Sequence, residues 1–121
     1  MADDELAKSA ETERAAFLGA LRALDHALDH NIDRAQRMKR RIVELEQACA
    51  GGRPIREIVP DEKAPLIVQL LTESAEALQH YGGRVRRTEA RVLHHEGLPM
   101  DQIARLFGVT RQRVSALLRD G

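Results

Sequence analysis

The sequence predicts an all-α protein, a long N-terminal helix followed by a compact C-terminal group of three short helices. Two observations carry that prediction. Aromatic residues make up only 2% of the chain and Trp is absent, so any core must be assembled from Leu, Ile, Val and Ala. Helix-forming residues dominate, and no segment sustains the alternation of apolar and polar residues that a half-buried strand requires. At 121 residues, the chain has room for one domain, or for one small domain with an extension.

The first element runs from about Asp3 to Ala50 without a proline and with Gly19 as its one internal glycine. Apolar residues recur there at heptad spacing. With Leu21 as position a, the a row is Leu21, Leu28, Ala35, Ile42 and Cys49, and the d row is Leu24, Asn31, Met38 and Leu45. A seam this narrow suits a long helix that pairs with another helix. Asn31 within it needs a polar partner across the seam, and a buried Asn of this kind fixes register. The partner is expected to be a second copy of the chain. An intramolecular helical hairpin could use the same seam.

The second element starts at a break. The segment "GGRPIREIVPDEKAP" holds Gly51, Gly52, Pro54, Pro60 and Pro65. The glycines end the long helix, and the prolines forbid its continuation. Ile55, Ile58 and Val59 could form one apolar turn against that helix. Asp61 to Pro65 resembles a helix start, with acids at the positive end of the dipole. The spacing predicts a helix over 64–81 that buries Leu66, Ile67, Leu70, Leu71, Leu78 and Tyr81 and is closed by Gly82-Gly83. Folded back on the first helix, it would complete a helical dimerisation region over residues 1–83.

The third part, residues 84–121, reads as three short helices. Thr88 is the expected N-cap of a helix through His95, ended by Gly97. "GLP" makes the turn. The next helix runs from Pro99 or Met100 to Phe107, Gly108 follows, and the last helix runs from about Arg111 to Arg119 with Thr110 as its cap.

Two short helices held at an angle need a small residue at closest approach, a left-handed turn and an apolar lock. Ala104, Gly108 and the set Ile103, Phe107, Val109, Val114 and Leu117 meet those needs. The stretch "EARVLHHEGLPMDQIARLFGVTRQRVSALL" therefore resembles the helix-turn-helix DNA-binding family. It is similar in particular to the tri-helical domain of bacterial sigma-factor region 4. The resemblance covers residues 88–119. It implies that the last helix enters the major groove of double-stranded DNA, presenting Thr110, Arg111, Gln112, Arg113, Ser115 and Ala116. Arg pairs bidentately with guanine and Gln with adenine. Thr110 and the helix N-terminus can hold a phosphate. Gln102, Arg105, Arg84, Arg86, Arg87 and Arg119 are the candidate backbone contacts, and Arg113 could point to the flank of the helix. No wing is expected after the last helix.

Charge agrees with this placement. The chain is neutral overall, with 19 basic and 19 acidic residues, but residues 84–121 carry 8 basic groups against 4 acidic ones. All eight are arginines. Such an asymmetry within a neutral chain points to a nucleic-acid-facing end. One tri-helical domain makes few phosphate contacts, whereas a homodimer doubles them and reads two half-sites. The dimerisation residues expected for it are Leu21, Leu24, Leu28, Asn31, Ala35, Met38, Ile42 and Leu45.

Other features are read more plainly. His26 and His30 are spaced to share a helix face and could in principle bind a metal, but a solvated polar face is the expected role, and no metal or cofactor is expected. The basic run Arg34 to Arg41 could touch phosphates. It is read instead as the solvated side of the long helix, with Arg41 and Glu46 spaced for a salt bridge between parallel helices. The single Cys49 cannot form an intramolecular disulfide. No phosphate loop, HExxH or nucleophile elbow is present, so no enzyme activity is expected. The acidic start is no signal peptide and no run reaches membrane-span length, so a cytoplasmic, nucleoid-associated protein without a membrane partner is expected. The expected function is transcription regulation. The competing classes are a protein-interaction partner of RNA polymerase or a sigma factor, and a sequence-tolerant chromosome-organising protein.

Overall fold

The structure is a computed structural model that describes residues 2–62 and 65–120. Among the described residues all regular structure is helical: α1 (Ala2–Ala50), α2 (Ile55–Ile58), a 3₁₀ turn (Val59–Asp61), α3 (Ile67–His95), α4 (Met100–Phe107) and α5 (Arg111–Arg119). No described helix is long and apolar enough to cross a membrane. The chain divides into two compact units. The middle unit is His26–Gln79, and the terminal unit joins Met1–Asp25 to His80–Gly121.

In the middle unit α1 and α3 run antiparallel. Asn31 Nδ2 donates to the Ser74 carbonyl at 3.4 Å, and Arg34 Nε lies 3.3 Å from Glu73 Oε2. Arg34 also donates to Asn31 Oδ1 at 2.6 Å. Asn31 therefore finds its polar partners inside the chain, through the hairpin alternative. The stripe of α1 turned toward α3 combines the d residues Asn31, Met38 and Leu45 with the preceding positions Ala27, Arg34 and Arg41, all buried or half-buried. The a residues Leu28, Ala35, Ile42 and Cys49 stay exposed. A small side chain at Ala27 lets α3 approach on that side, so the intramolecular seam is rotated away from the a row. Arg41 pairs with Glu44 along its own helix at 3.4 Å.

The connection between the helices departs from the expected apolar turn. Ile58 alone is buried, while Ile55 and Val59 are exposed. Arg53 instead spans the turn, 3.0 Å from Asp61 Oδ2. The expected helix start near Ala64 lies outside the described residues, and α3 begins at Ile67. Its first amides are capped from both sides: Ile67 N donates to Glu62 Oε1 at 2.9 Å, and Leu66 N to Gln69 Oε1 at 2.7 Å. This is the reciprocal logic of a capping box, with the acid at the positive end of the helix. Of the residues expected to be buried here, Leu70 is, Leu66, Ile67 and Tyr81 are half-buried, and Leu71 and Leu78 are exposed.

The terminal unit corrects one boundary. Gly82-Gly83 does not close the helix, and α3 continues through to His95. A glycine ends a helix when it takes a positive φ, and among the described residues only Gly52, Gly97 and Gly108 do so. The space above the glycine pair is taken by arginines one turn on. A Cβ at Gly82 would lie 3.3 Å from the Arg86 guanidinium, and one at Gly83 3.2 Å from that of Arg87. Thr88 is accordingly no N-cap. It is buried within the helix, and its hydroxyl donates back to the Arg84 carbonyl at 2.8 Å. His95 Nε2 lies 3.6 Å from Glu13 Oε1 of α1.

Candidate nucleic-acid interface

The sequence from Leu98 to Arg119 folds as expected locally. Gly97 and Gly108, with φ of 93° and 66°, each end a helix in the same way. Leu98 N donates to the Leu93 carbonyl and Val109 N to the Ala104 carbonyl, both at 3.0 Å, while each glycine N–H bonds the carbonyl three residues back. This paired pattern is the Schellman motif, and its left-handed residue favours glycine. One residue past the second turn, Thr110 takes an extended conformation, and its Oγ1 accepts a hydrogen bond from Arg113 N at 3.1 Å. That bond caps α5 and fixes where its first turn begins.

The two helices are held by a core of Ala90, Ile103, Ala104, Val114 and Leu117, with Leu93, Leu98, Met100, Phe107 and Leu118 packed around it. Ile103 and Val114 are fully buried. Val109, expected to join this lock, is 37% exposed at the turn instead. It follows the left-handed glycine and lines a cleft with Phe107 and Leu117.

With Val114, Leu117 and Leu118 facing inward, the 100° step of an α-helix turns Gln112, Ser115, Ala116 and Arg119 outward. Gln112 and Arg119 are exposed, and Ser115 and Ala116 are half-buried. Arg111 and Arg113 flank this strip on opposite sides, and both are exposed. The strip carries no large apolar side chain. Arg111 is partnered within the unit, its Nη1 lying 3.6 Å from Asp101 Oδ1 of α4. The ten-residue separation of this pair hides it from the sequence. So does a second tie, in which Arg91 of α3 donates to the Asp120 carbonyl just past α5.

The remaining candidates fall in three places. Arg86 joins Arg113 around a cleft lined also by Glu89, Phe107, Val109 and Leu117. Arg84 lies on another side of α3, with its guanidinium 3.5 Å from where a Cβ at Gly19 of α1 would stand, and Arg87 is half-buried. Gln102 and Arg105 sit on the outer side of α4, where they line a shallow groove with Leu98 and Leu106. Leu106 is 69% exposed there. Away from this unit, His26 and His30 lie edge to face with ring centroids 4.9 Å apart. Among the described residues, no group of three His, Cys, Asp or Glu side chains is placed to hold a metal ion.

No protein-family model, curated protein or solved structure matches this chain significantly. The functional reading therefore rests on the residues themselves.

Proposed function

We propose that the chain is a sequence-reading DNA-binding regulator of transcription that acts as a homodimer. In this reading α4, the Gly108 turn and α5 form a helix-turn-helix without a wing, and α5 enters the major groove. The observation that carries it is the outward strip of α5. Gln112, Ser115, Ala116 and Arg119 make a polar strip of mostly short side chains, flanked by Arg111 and Arg113. A groove-reading helix needs such a surface, and a helix docking on protein does not. The local excess of arginine supplies attraction to phosphate whose strength falls as salt rises. Thr110 and the first turn of α5 serve as a phosphate clamp beside Arg86 and Arg113. Arg111 reaches a base by leaving Asp101, a small cost because exposed ion pairs contribute roughly 0–1 kcal/mol.

The test is fluorescence anisotropy at near-physiological salt. It compares the duplex upstream of the protein's own coding region with a shuffled duplex of equal composition. Preferential binding to the first is expected. Gln112→Ala or Arg111→Ala should weaken it by about 5- to 150-fold, the effect of losing one bidentate base contact of about 1–3 kcal/mol. Equal binding to both duplexes would favour a chromosome-organising protein. Binding to neither would favour the competing reading, which the exposed Leu106 beside Leu98 supports: an apolar contact on α4 for RNA polymerase or a sigma factor. Nucleoid association follows from the DNA reading and fails with it.

A further inference from the structure

The middle unit buries little of its own apolar surface. Among its described residues, the buried hydrophobic side chains are Ala27, Ile58 and Leu70. Against these stand Leu28, Ile32 and Ile42 on α1 and Val68, Leu71 and Leu78 on α3, each between 39% and 63% exposed.

These six residues are not scattered. On α1 the direction toward α3 is marked by Ala27, Asn31, Arg34 and Met38. At 100° per residue, Leu28, Ile32, Ala35 and Ile42 form a row about a quarter turn further round. On α3 the direction toward α1 is marked by Ile67, Leu70, Ser74 and Ala77. Val68, Leu71, Ala75 and Leu78 again lie about a quarter turn further round, in the same sense. In two antiparallel helices, equal rotations in the same sense bring the rows to the same side of the pair. The register set by Asn31 with Ser74 and Arg34 with Glu73 puts Leu28 level with Leu78, Ile32 with Ala75, and Ala35 with Leu71. The hairpin thus carries one apolar face contributed by both helices, crossed on α1 by Lys39 between Ala35 and Ile42.

We infer that this face is where a second copy of the chain docks, pairing two middle-unit hairpins into a four-helix bundle. This rests on the dimeric part of the proposed function, and it replaces the a/d seam of α1 as the dimer contact. Two arguments favour a second copy over another occupant. The first is area. Half-exposed side chains of six large aliphatics amount to on the order of 500 Å² per copy, about the apolar share of the roughly 800 Å² that each side of a stable dimer buries. The second is charge. Lys39 is the single charged residue within the two rows, and the depletion of charge is what marks the core of a homodimer interface. A face that runs along both helices of an antiparallel hairpin also meets its own copy across a two-fold axis without a mismatch in length.

Sedimentation equilibrium on the full chain at tens of micromolar tests this. The wild type should have twice the monomer's 13.6 kDa. Ile32→Asp and Leu71→Asp, one on each helix of the face, should each give the monomer mass. Arg37→Asp changes an exposed residue half a turn round α1 from this face and should leave the dimer intact. All three sites are exposed within the chain, and unchanged far-UV circular dichroism would show that the variants stay folded. A monomeric wild type would overturn both the inference and the dimeric reading. A dimer that survives in Ile32→Asp and Leu71→Asp, or one lost equally in Arg37→Asp, would overturn the assignment of this face alone.

Discussion

The two units are made from the same kinds of residue and yet solve burial differently. In the terminal unit, the end of α3 and the short α4 and α5 point Ala90, Ile103, Ala104, Val114 and Leu117 into one shared core. In the middle unit two long helices lie side by side, and each can turn only one stripe toward the other. Leu70 is the single large side chain that α3 buries there. Three helical segments converging on one point enclose a core, whereas two cannot. The apolar excess of a two-helix hairpin stays on its surface until something covers it. The difference separates a region that encloses a core of its own from one that leaves most of its large apolar side chains half-exposed.

Truncation at matching residues should expose this contrast most strongly. Ile103→Ala removes a fully buried side chain and should lower stability by about 2–5 kcal/mol, measured by urea denaturation. Ile32→Ala, at a dilution where the chain is monomeric, should change it by less than about 0.5 kcal/mol. Equal losses at the two sites would break the comparison. The glycines sharpen it next. Gly108→Ala forces a Cβ into a left-handed residue and should cost about 1–2 kcal/mol, seen as a fall in Tm. Thr110→Ala removes the cap of α5, at a cost of about 1 kcal/mol, whereas Thr110→Ser should retain most of that stability. Smallest, and opposite in sign, is Gly82→Ala. It lies within a helix and meets only the mobile end of Arg86, so it should stabilise by about 0.5–1 kcal/mol. A destabilised Gly82→Ala would mean that the Arg86 guanidinium is held in place over the glycine.

These glycines also show which parts of the fold were legible in the sequence. Gly97 and Gly108 are recognisable as helix ends, because apolar spacing stops at both and a cap or a turn follows within a few residues. Gly82-Gly83 looks the same by composition, but apolar positions continue beyond it through Val85, Val92 and Leu93. The tertiary packing of that continued stripe outweighs roughly 1 kcal/mol of helix propensity per glycine. The long helix was evident from its length and its lack of proline, whereas the choice of stripe was not. Heptad bookkeeping ranks Leu21, Leu28 and Ile42 above Ala20 and Ala27 as seam residues, but close helix approach favours the alanines. At the candidate interface, the outward strip of α5 could be read from its period. The Asp101–Arg111 pair and the position of Arg84 against α1 depend on distant residues and could not.

Cys49, the chain's single cysteine, stands exposed in the last turn of α1. Any thiol-directed probe therefore attaches at one place per copy, with no mutagenesis. In a dimer the two probes report strand direction as a single length. If the α1 helices run antiparallel about a dyad near Ala35, the labels stand about 40 Å apart, fourteen residues of helical rise on each side. If they run parallel, the labels come within about 20 Å, close to the 10 Å spacing of packed helices plus the probe arms. Pulsed electron spin resonance on nitroxide-labelled protein can tell these lengths apart.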